Sequence, residues 1–414
     1  MDPITRRDLL KKAAAASGAL LLASQARAGE ETNHELTANP HDHKHSILGP
    51  RNPEIEKENF DSTFSPPTDH GNVDAFKYPY SFARKKTSEA GWARQVTYRD
   101  LVTSAEMAGV NMRLLPNGCR ELHWHKSAEW AYMISGKARV TCIDYDGKAF
   151  VDDVGPGDLW YFPQGIPHSI QAENGGDGCE FLLVFDDGKF NEYETFLISE
   201  WVARTPKEVL AKVMGCSVEA LEHIPKEEQF IFFAEPFKAL EEERKQAAGT
   251  VGYTNTKFTY YMSKDKPDKE TKSGTATIND SKKFPISKTI AAAKVVVKPG
   301  GIRELHWHPN SDEWQYYVKG QGRMTVFTAG NRARTMDFQA GDVGTVGNNV
   351  GHYIENTGTE DLEFLEVFKV PEYQDLSFTE WISHTPKTLV MSHLKIDSAT
   401  YDGIPKEKSV VIPA

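Results

Sequence analysis

At 414 residues, 39% hydrophobic and 26% charged, the chain is long enough for two domains with separate cores and too apolar to be a disordered one. Its net charge of −11 excludes nucleic acid and anionic membrane surfaces as natural partners. Four cysteines (Cys119, Cys142, Cys179, Cys216) contain no C-x-x-C pair, which signals neither a zinc site nor a dithiol redox motif.

The first 28 residues read as a signal. Thr5-Arg6-Arg7-Asp8-Leu9-Leu10-Lys11 resembles the twin-arginine export consensus, Ala13–Ala23 is a weakly apolar run, and Ala26-Arg27-Ala28 is a small-x-small cleavage site. The run is too short to span a bilayer, so no stable membrane anchor is expected. A periplasmic or secreted location follows as an expectation. Residues 29–94 are polar and rich in Pro and Asn, and read as an arm that wraps the first domain or a partner subunit. His41, His43 and His45 lie in it and suggest no more than weak metal scavenging.

Residues 95–236 form a first domain. Ala108–Leu114 reads as a strand ending at Pro116-Asn117-Gly118, and Arg120–His125 as the next. Glu129–Ile134 and Ala138–Asp144 form a hairpin about Ser135-Gly136. Phe150–Val154, Leu159–Phe162, His168–Ala172 and Glu180–Phe185 complete the set. Many short strands between Gly/Pro turns predict a sandwich or barrel. Phe196–Gly215 switches to helical spacing, with a short second helix over Ser217–His223. Residues 237–275 are charged and read as a connection. The strand pattern resumes in 276–414, from Ile290–Val297 to Phe364–Val370, and a second helical tail follows. The fold class is therefore mainly β: two tandem barrels, each with a helical tail.

The two halves repeat. Arg120–His125 and Arg303–His308 both read Arg-Glu-Leu-His-Trp-His, an offset of 183 residues (303 − 120). Residues i and i+2 of a strand share a face, so His123 and His125 project together. A barrel interior gives two imidazoles no water to bond, so they need a partner. Glu129 opens the next strand, and His168 follows the Pro-Gln-Gly turn at 163–165. The second copy supplies His306, His308, Glu313 and His352. Three imidazoles and one carboxylate make an octahedral-capable site with two open positions. That set suits Mn, Fe, Co, Ni or Cu better than Mg or Ca.

These segments are the two cupin motifs, and the chain resembles the bicupin oxalate decarboxylases. The likeness runs from about Asp69 to the C-terminus and includes Gly157–Pro163, Phe185–Gly188, Glu313–Tyr317 and Phe364–Glu366. It implies a double-stranded β-helix (jelly-roll) fold for each barrel and two manganese ions per chain. It further implies O2 as co-catalyst, oxalate as substrate, and a homo-trimer or hexamer built through the helical tails. It places Arg120 and Arg303 at the substrate, Glu366 beside the second metal, and Glu192 on a flexible lid where it accepts and returns a proton. The lid departs from the family at Asn191, Tyr193 and Glu194, and the second site lacks the proline before His352. Arg120 sits three residues before His123 and so has the wrong parity for the pocket on an unbroken strand. A twist or its long side chain must bring it there.

The reaction expected is oxalate to formate and CO2. The alternative within enzymes is a bicupin oxalate oxidase giving CO2 and H2O2, and lid composition separates the two. The alternative of another class is a non-catalytic metal-binding or storage bicupin, which typically loses ligands; this chain keeps all eight. A third is another cupin dioxygenase or isomerase acting on a larger substrate.

Overall fold

The computed structural model describes residues 49–50, 52–59 and 65–413. The signal read over 1–28 and the histidines at 41, 43 and 45 lie outside the described residues. The chain divides into two units at Asp69, and the first contributes one short helix, Pro53–Glu58. The second unit, His70–Ala414, holds both barrels.

Each barrel is built from a seven-stranded and a six-stranded sheet. In the first barrel the larger sheet runs in the order Thr259–Tyr260, Leu159–Phe162, Glu129–Ser135, Cys179–Phe185, Ala108–Leu114, Gly91–Val96, Lys86–Ser88. The smaller runs Phe196–Leu197, Gly118–Trp124, His168–Ala172, Ala138–Ile143, Ala149–Val154, and Ile231–Phe233 adds to Gly118–Trp124. The second barrel repeats this plan. All the pairings are antiparallel, as hairpin connections require.

Cys179–Phe185 shows why the strands read as continuous apolar runs. Phe181, Leu183 and Phe185 fill the first barrel. Leu182 and Val184 face the other way, into a cluster shared with Trp314, Leu365 and Val367 of the second barrel. A strand buried on both faces has no polar side to alternate with. The second barrel's interior is lined by Val295, Tyr317, Phe338, Ile354 and Phe364 among others. Hairpin turns impose their own residue. Gly136 has φ +76°, and a Cβ there would collide with the Gly178 backbone carbonyl.

Three features differ from the sequence reading. Within the stretch read as an arm, Lys86–Ser88 and Gly91–Val96 are strands of the first barrel. Lys77–Pro79 pairs with Asp342–Val346 of the second barrel rather than wrapping the first. In return, Thr259–Tyr260 pairs with Leu159–Phe162 of the first. Each barrel thus takes its outermost strand from the segment that precedes the other. Such a short pairing, far apart in sequence, leaves no periodic signal.

The helix read over Phe196–Gly215 is two helices, Ile198–Ala203 and Lys207–Met214. Pro206 divides them, because a proline disfavours helical backbone before it. The helix read over Ser217–His223 is a single 3-10 turn, Glu219–Leu221. The charged connection holds a helix, Leu240–Ala248. Its Arg244 donates to Asp152 Oδ1 at 2.7 Å and ties the helix to the first barrel.

Candidate active site

His123 lies near the end of Gly118–Trp124, directly across from His168 in the paired strand. His125 follows just past that strand, and Glu129 opens Glu129–Ser135 in the opposing sheet. The four buried groups converge between the two sheets, with their ligand atoms within 4.8 Å of one another. His306, His308, Glu313 and His352 converge in the same way in the second barrel, again within 4.8 Å.

The histidines are oriented from behind. The Nδ1 atoms of His123, His125 and His168 face the backbone oxygens of Glu121 (2.7 Å), Ser127 (2.6 Å) and Ile166 (2.8 Å). A carbonyl only accepts, so each Nδ1 carries the proton and each Nε2 presents a lone pair. His306, His308 and His352 do the same with Glu304 O (2.6 Å), Gln374 O (2.8 Å) and Val350 O (3.1 Å). Burial, then the nearby Arg120 charge, holds His123 well below its ordinary pKa. Burial would raise Glu129, but hydrogen bonds with His125 and His168 outweigh it and keep the carboxyl well below the usual range.

Each carboxylate is steered by one oxygen. Trp160 Nε1 donates to Glu129 Oε1 at 2.8 Å, and Gln315 Nε2 donates to Glu313 Oε1 at 2.7 Å. The other oxygen faces the histidines. His352 Nε2 and Glu313 Oε2 lie 2.8 Å apart, yet neither has a hydrogen-bond partner of proper geometry, and nor do His306 Nε2 and His308 Nε2. Buried lone pairs that converge without bonding one another fit a shared cation. The donor set therefore suits a divalent metal in each barrel.

A β-bulge resolves the parity of Arg120. His168 pairs with His123 and Ile170 with Arg120, so the Gly118–Trp124 strand carries one extra residue between them. Leu122 is turned outward, 52% exposed, and Arg120 regains the interior face. The second barrel repeats the bulge between Arg303 and His306.

Arg120 is fully buried. Its Nε and Nη2 both donate to Glu192 Oε1 at 2.9 Å. Nη2 also donates to Thr195 Oγ1 at 2.9 Å, and Nη1 to Phe230 O at 3.3 Å. The Phe230 ring lies 4.6 Å from the guanidinium. Glu192 sits in a 3-10 turn, Glu192–Glu194, outside the barrel strands but with its side chain buried. Burial pushes its carboxyl above the ordinary value, against the opposing pull of Arg120. The segment is rooted by Phe190, which stacks on Phe185 at 3.5 Å and meets the His125 ring edge-on at 5.8 Å.

Arg303 is as buried as Arg120 and more heavily paired. Nε donates to Glu366 Oε1 at 3.0 Å, and Nη2 to Tyr373 OH at 2.9 Å and Asp375 Oδ2 at 3.2 Å. Burial raises Glu366 above the usual range. The missing proline does not displace His352. Asn349, at φ +61°, takes the left-handed place that Gly165 holds at φ +76°. Their N–H groups donate to His308 O and His125 O, at 3.0 Å in each case.

Residues 81–221 and 260–402 each match the cupin family, together more than half of the chain. Oxalate decarboxylase OxdC of Bacillus subtilis (strain 168) is 48% identical over 88% of this chain and 93% of its own length. The chain belongs to the cupins and, within them, to the oxalate decarboxylase family. A probable oxalate decarboxylase of Arthroderma benhamiae is 38% identical over 84% of this chain and 85% of its own. A solved Bacillus subtilis oxalate decarboxylase, studied for its Mn(II) centres, superposes with a TM-score of 0.86 at 48% identity, covering 89% of this chain and 96% of that one.

The site contains residues that sequence reasoning missed. Thr195, Phe230, Trp160, Gln315, Tyr373 and Asp375 all touch a predicted site residue. Asp375 had a signal: it lies 183 residues (375 − 192) after Glu192, the same offset as the arginines. Phe230 had none, since it reaches Arg120 from 110 residues away.

Proposed function

We propose that the chain converts oxalate to formate and CO2 with manganese at the His123/His125/Glu129/His168 site, O2 as co-catalyst, and Glu192 as proton carrier. One arrangement supports this most: a buried arginine beside a buried metal-type ligand set, its charge shared with a carboxylate lifted above its ordinary pKa. A bound redox-active divalent metal with open positions supplies a place for oxalate and, with O2, removal of the electron that makes C–C cleavage easy. The protein supplies the rest. Arg120 receives a carboxylate of the dianion, so that one buried anion is not left unpaired. Oxalate then competes with Glu192 for the same guanidinium. The charge that holds the Glu192 carboxyl down is diluted as substrate arrives, and the group becomes a better base. It takes up a proton and later returns it to the carbon from which CO2 has left. The covering 190–195 segment keeps solvent away in between. The balance is oxalate dianion plus one proton to formate and CO2.

Arg303 and Glu366 are read as the matching anion and proton groups of the second barrel. Arg303 already holds two carboxylates, Glu366 and Asp375, so an anion entering there must displace one. We therefore assign the larger share of turnover to the first site. The assay is direct. Metal-free protein is reloaded with Mn2+ and given oxalate, and formate, CO2 and peroxide are measured. Formate near one per oxalate consumed supports the reading. Peroxide with no formate favours the oxidase, and no turnover favours a binding protein.

Two further expectations stay with this reading. The helical tails leave Trp201 64% and Trp381 60% exposed beside Phe196 and Leu376. These faces suit contacts between copies, and a trimer or hexamer is expected by light scattering; a monomer would refute it. The twin-arginine-like start suits export to the periplasm of a chain folded around its weakly binding metal. Full manganese occupancy in the periplasm after export by an unfolded-chain signal would contradict that role. Among the described residues no helix is long and apolar enough to cross a membrane.

A further inference from the structure

We propose that Gln95 is a positioning residue for Glu192: with Asn191 and Tyr193 it latches the 190–195 segment onto the edge strands of the first barrel. This rests on the reading of Glu192 as the proton carrier. Gln95 lies on Gly91–Val96, at the barrel edge. Its Oε1 accepts the Glu192 backbone N–H at 2.9 Å. Its Nε2 donates to Asn191 Oδ1 at 3.2 Å. Asn191 Oδ1 in turn accepts the Tyr193 N–H at 3.2 Å, which caps the 3-10 turn carrying Glu192. One amide thus holds both the backbone of the acid and the cap of its turn. The two bonds need an acceptor and a donor on one side chain, which fixes the orientation of the Gln95 amide.

Tyr193 supplies the second attachment. Its hydroxyl donates to Arg84 O at 3.3 Å, and Lys86 Nζ lies 5.6 Å from its ring centre. Lys86 also bonds Glu228 at 2.8 Å and lies 4.0 Å from the Phe230 ring, which backs Arg120. The lid positions where the sequence departs from its family, Asn191 and Tyr193, are the ones that make these contacts. The departure is therefore part of the fastening, whereas Arg120 alone would have to hold the acid in place.

The consequence is chemical. An oxalate taken to formate and CO2 uses one proton, delivered by Glu192. An oxalate that loses both carbons as CO2 passes two electrons to O2, which with two protons gives H2O2. A lid that opens before the proton is returned favours the second course, because it admits O2 and water. The latch thus sets the ratio of peroxide to formate.

Gln95→Met keeps the length of the side chain and removes both polar atoms. In the full chain loaded with Mn2+, amide hydrogen exchange over residues 190–197 is expected to quicken about tenfold, as for the loss of two ordinary hydrogen bonds. The peroxide-to-formate ratio is expected to rise with it at unchanged metal content. Adding Asn191→Ala to Gln95→Met should change little more, since both break the same bond. Tyr193→Phe, a milder change, should quicken exchange about twofold. Faster exchange with an unchanged product ratio would reduce Gln95 to a structural residue and overturn the proposal. Unchanged exchange and product ratio in Gln95→Met, with formate lost in Glu192→Gln, would overturn the latch and leave the proton carrier standing. Formate retained in Glu192→Gln would remove both.

Discussion

The two metal centres share ligands, bulge and buried arginine, yet they treat their acids differently. In the second barrel an acid is part of the wall: Glu366 lies within Leu362–Phe368, opposite Gln315. The first barrel has Leu183 opposite Ala131 at the matching places, and its wall offers no acid there. Its acid arrives instead on Glu192–Glu194, outside the strands. The lid has its own counterpart in the second barrel, Asp375, and that residue is pinned. Lys408 Nζ lies 2.7 Å from both Asp375 O and Asp375 Oδ1. Burial would raise the Asp375 carboxyl, but the Arg303 and Lys408 charges outweigh it and hold the group below its ordinary range. Burial wins at Glu192, which is pushed up. Two equivalent carboxylates driven in opposite directions are the mark of two roles. One is built to exchange a proton and one to stay ionised.

The largest test of this contrast is to remove one metal at a time. Glu129→Ala should abolish formate production, whereas Glu313→Ala should leave a measurable part of it. Each should bind one manganese ion per chain by elemental analysis, and each should lose about 2–4 kcal/mol of metal-dependent stability at saturating Mn2+. Equal activity in the two variants would erase the distinction. Arg120→Lys should lower kcat/KM for oxalate by roughly ten- to a hundredfold, because an ammonium lacks the planar fork that two oxygens require. Arg303→Lys should change it by no more than about threefold, its cost falling on stability instead.

The pH profile sharpens the comparison further. The complex of metal, Glu129, Arg120, Glu192 and oxalate dianion carries one excess negative charge, so it needs one bound proton. Burial raises the Glu192 carboxyl, which keeps that proton to a higher pH than an ordinary carboxyl would. Formate production should therefore fall as pH rises through the lifted value, and Asp375→Asn should leave that limb where it is. A limb that moves in Asp375→Asn would assign the proton to the wrong barrel. The smallest expected effects concern the supports. Thr195→Val removes one bond to Arg120 and should cost two- to tenfold in kcat/KM. Tyr373→Phe removes one bond to Arg303 and should cost about 1 kcal/mol of stability with little change in rate.

How far the sequence reached depends on chain separation. The eight ligands were legible because each set sits in two short motifs whose strand parity is simple. Glu192 was legible only through its family likeness, since nothing in its spacing connects it to His123. Arg120 was named, but its parity was wrong for an unbroken strand; the bulge that corrects it is visible in the outward turn of Leu122 and not in the letters. The exchange of Lys77–Pro79 and Thr259–Tyr260 between barrels depends on pairings too short to carry a pattern. Asp375 was within reach, because the repeat continues past Phe368 and aligns it with Glu192. Gln95 and Phe230 approach from strands that only the closed barrel brings near.

The central claim is that Glu192, and not its counterpart Asp375, moves the proton. The direct measurement compares Glu192→Gln and Asp375→Asn side by side, with formate yield and metal content determined on the same samples. The account predicts a loss of at least about a hundredfold in Glu192→Gln, and no more than a few-fold in Asp375→Asn, with two manganese ions in both. Formate production retained in Glu192→Gln, or lost equally in Asp375→Asn at full metal occupancy, would contradict it.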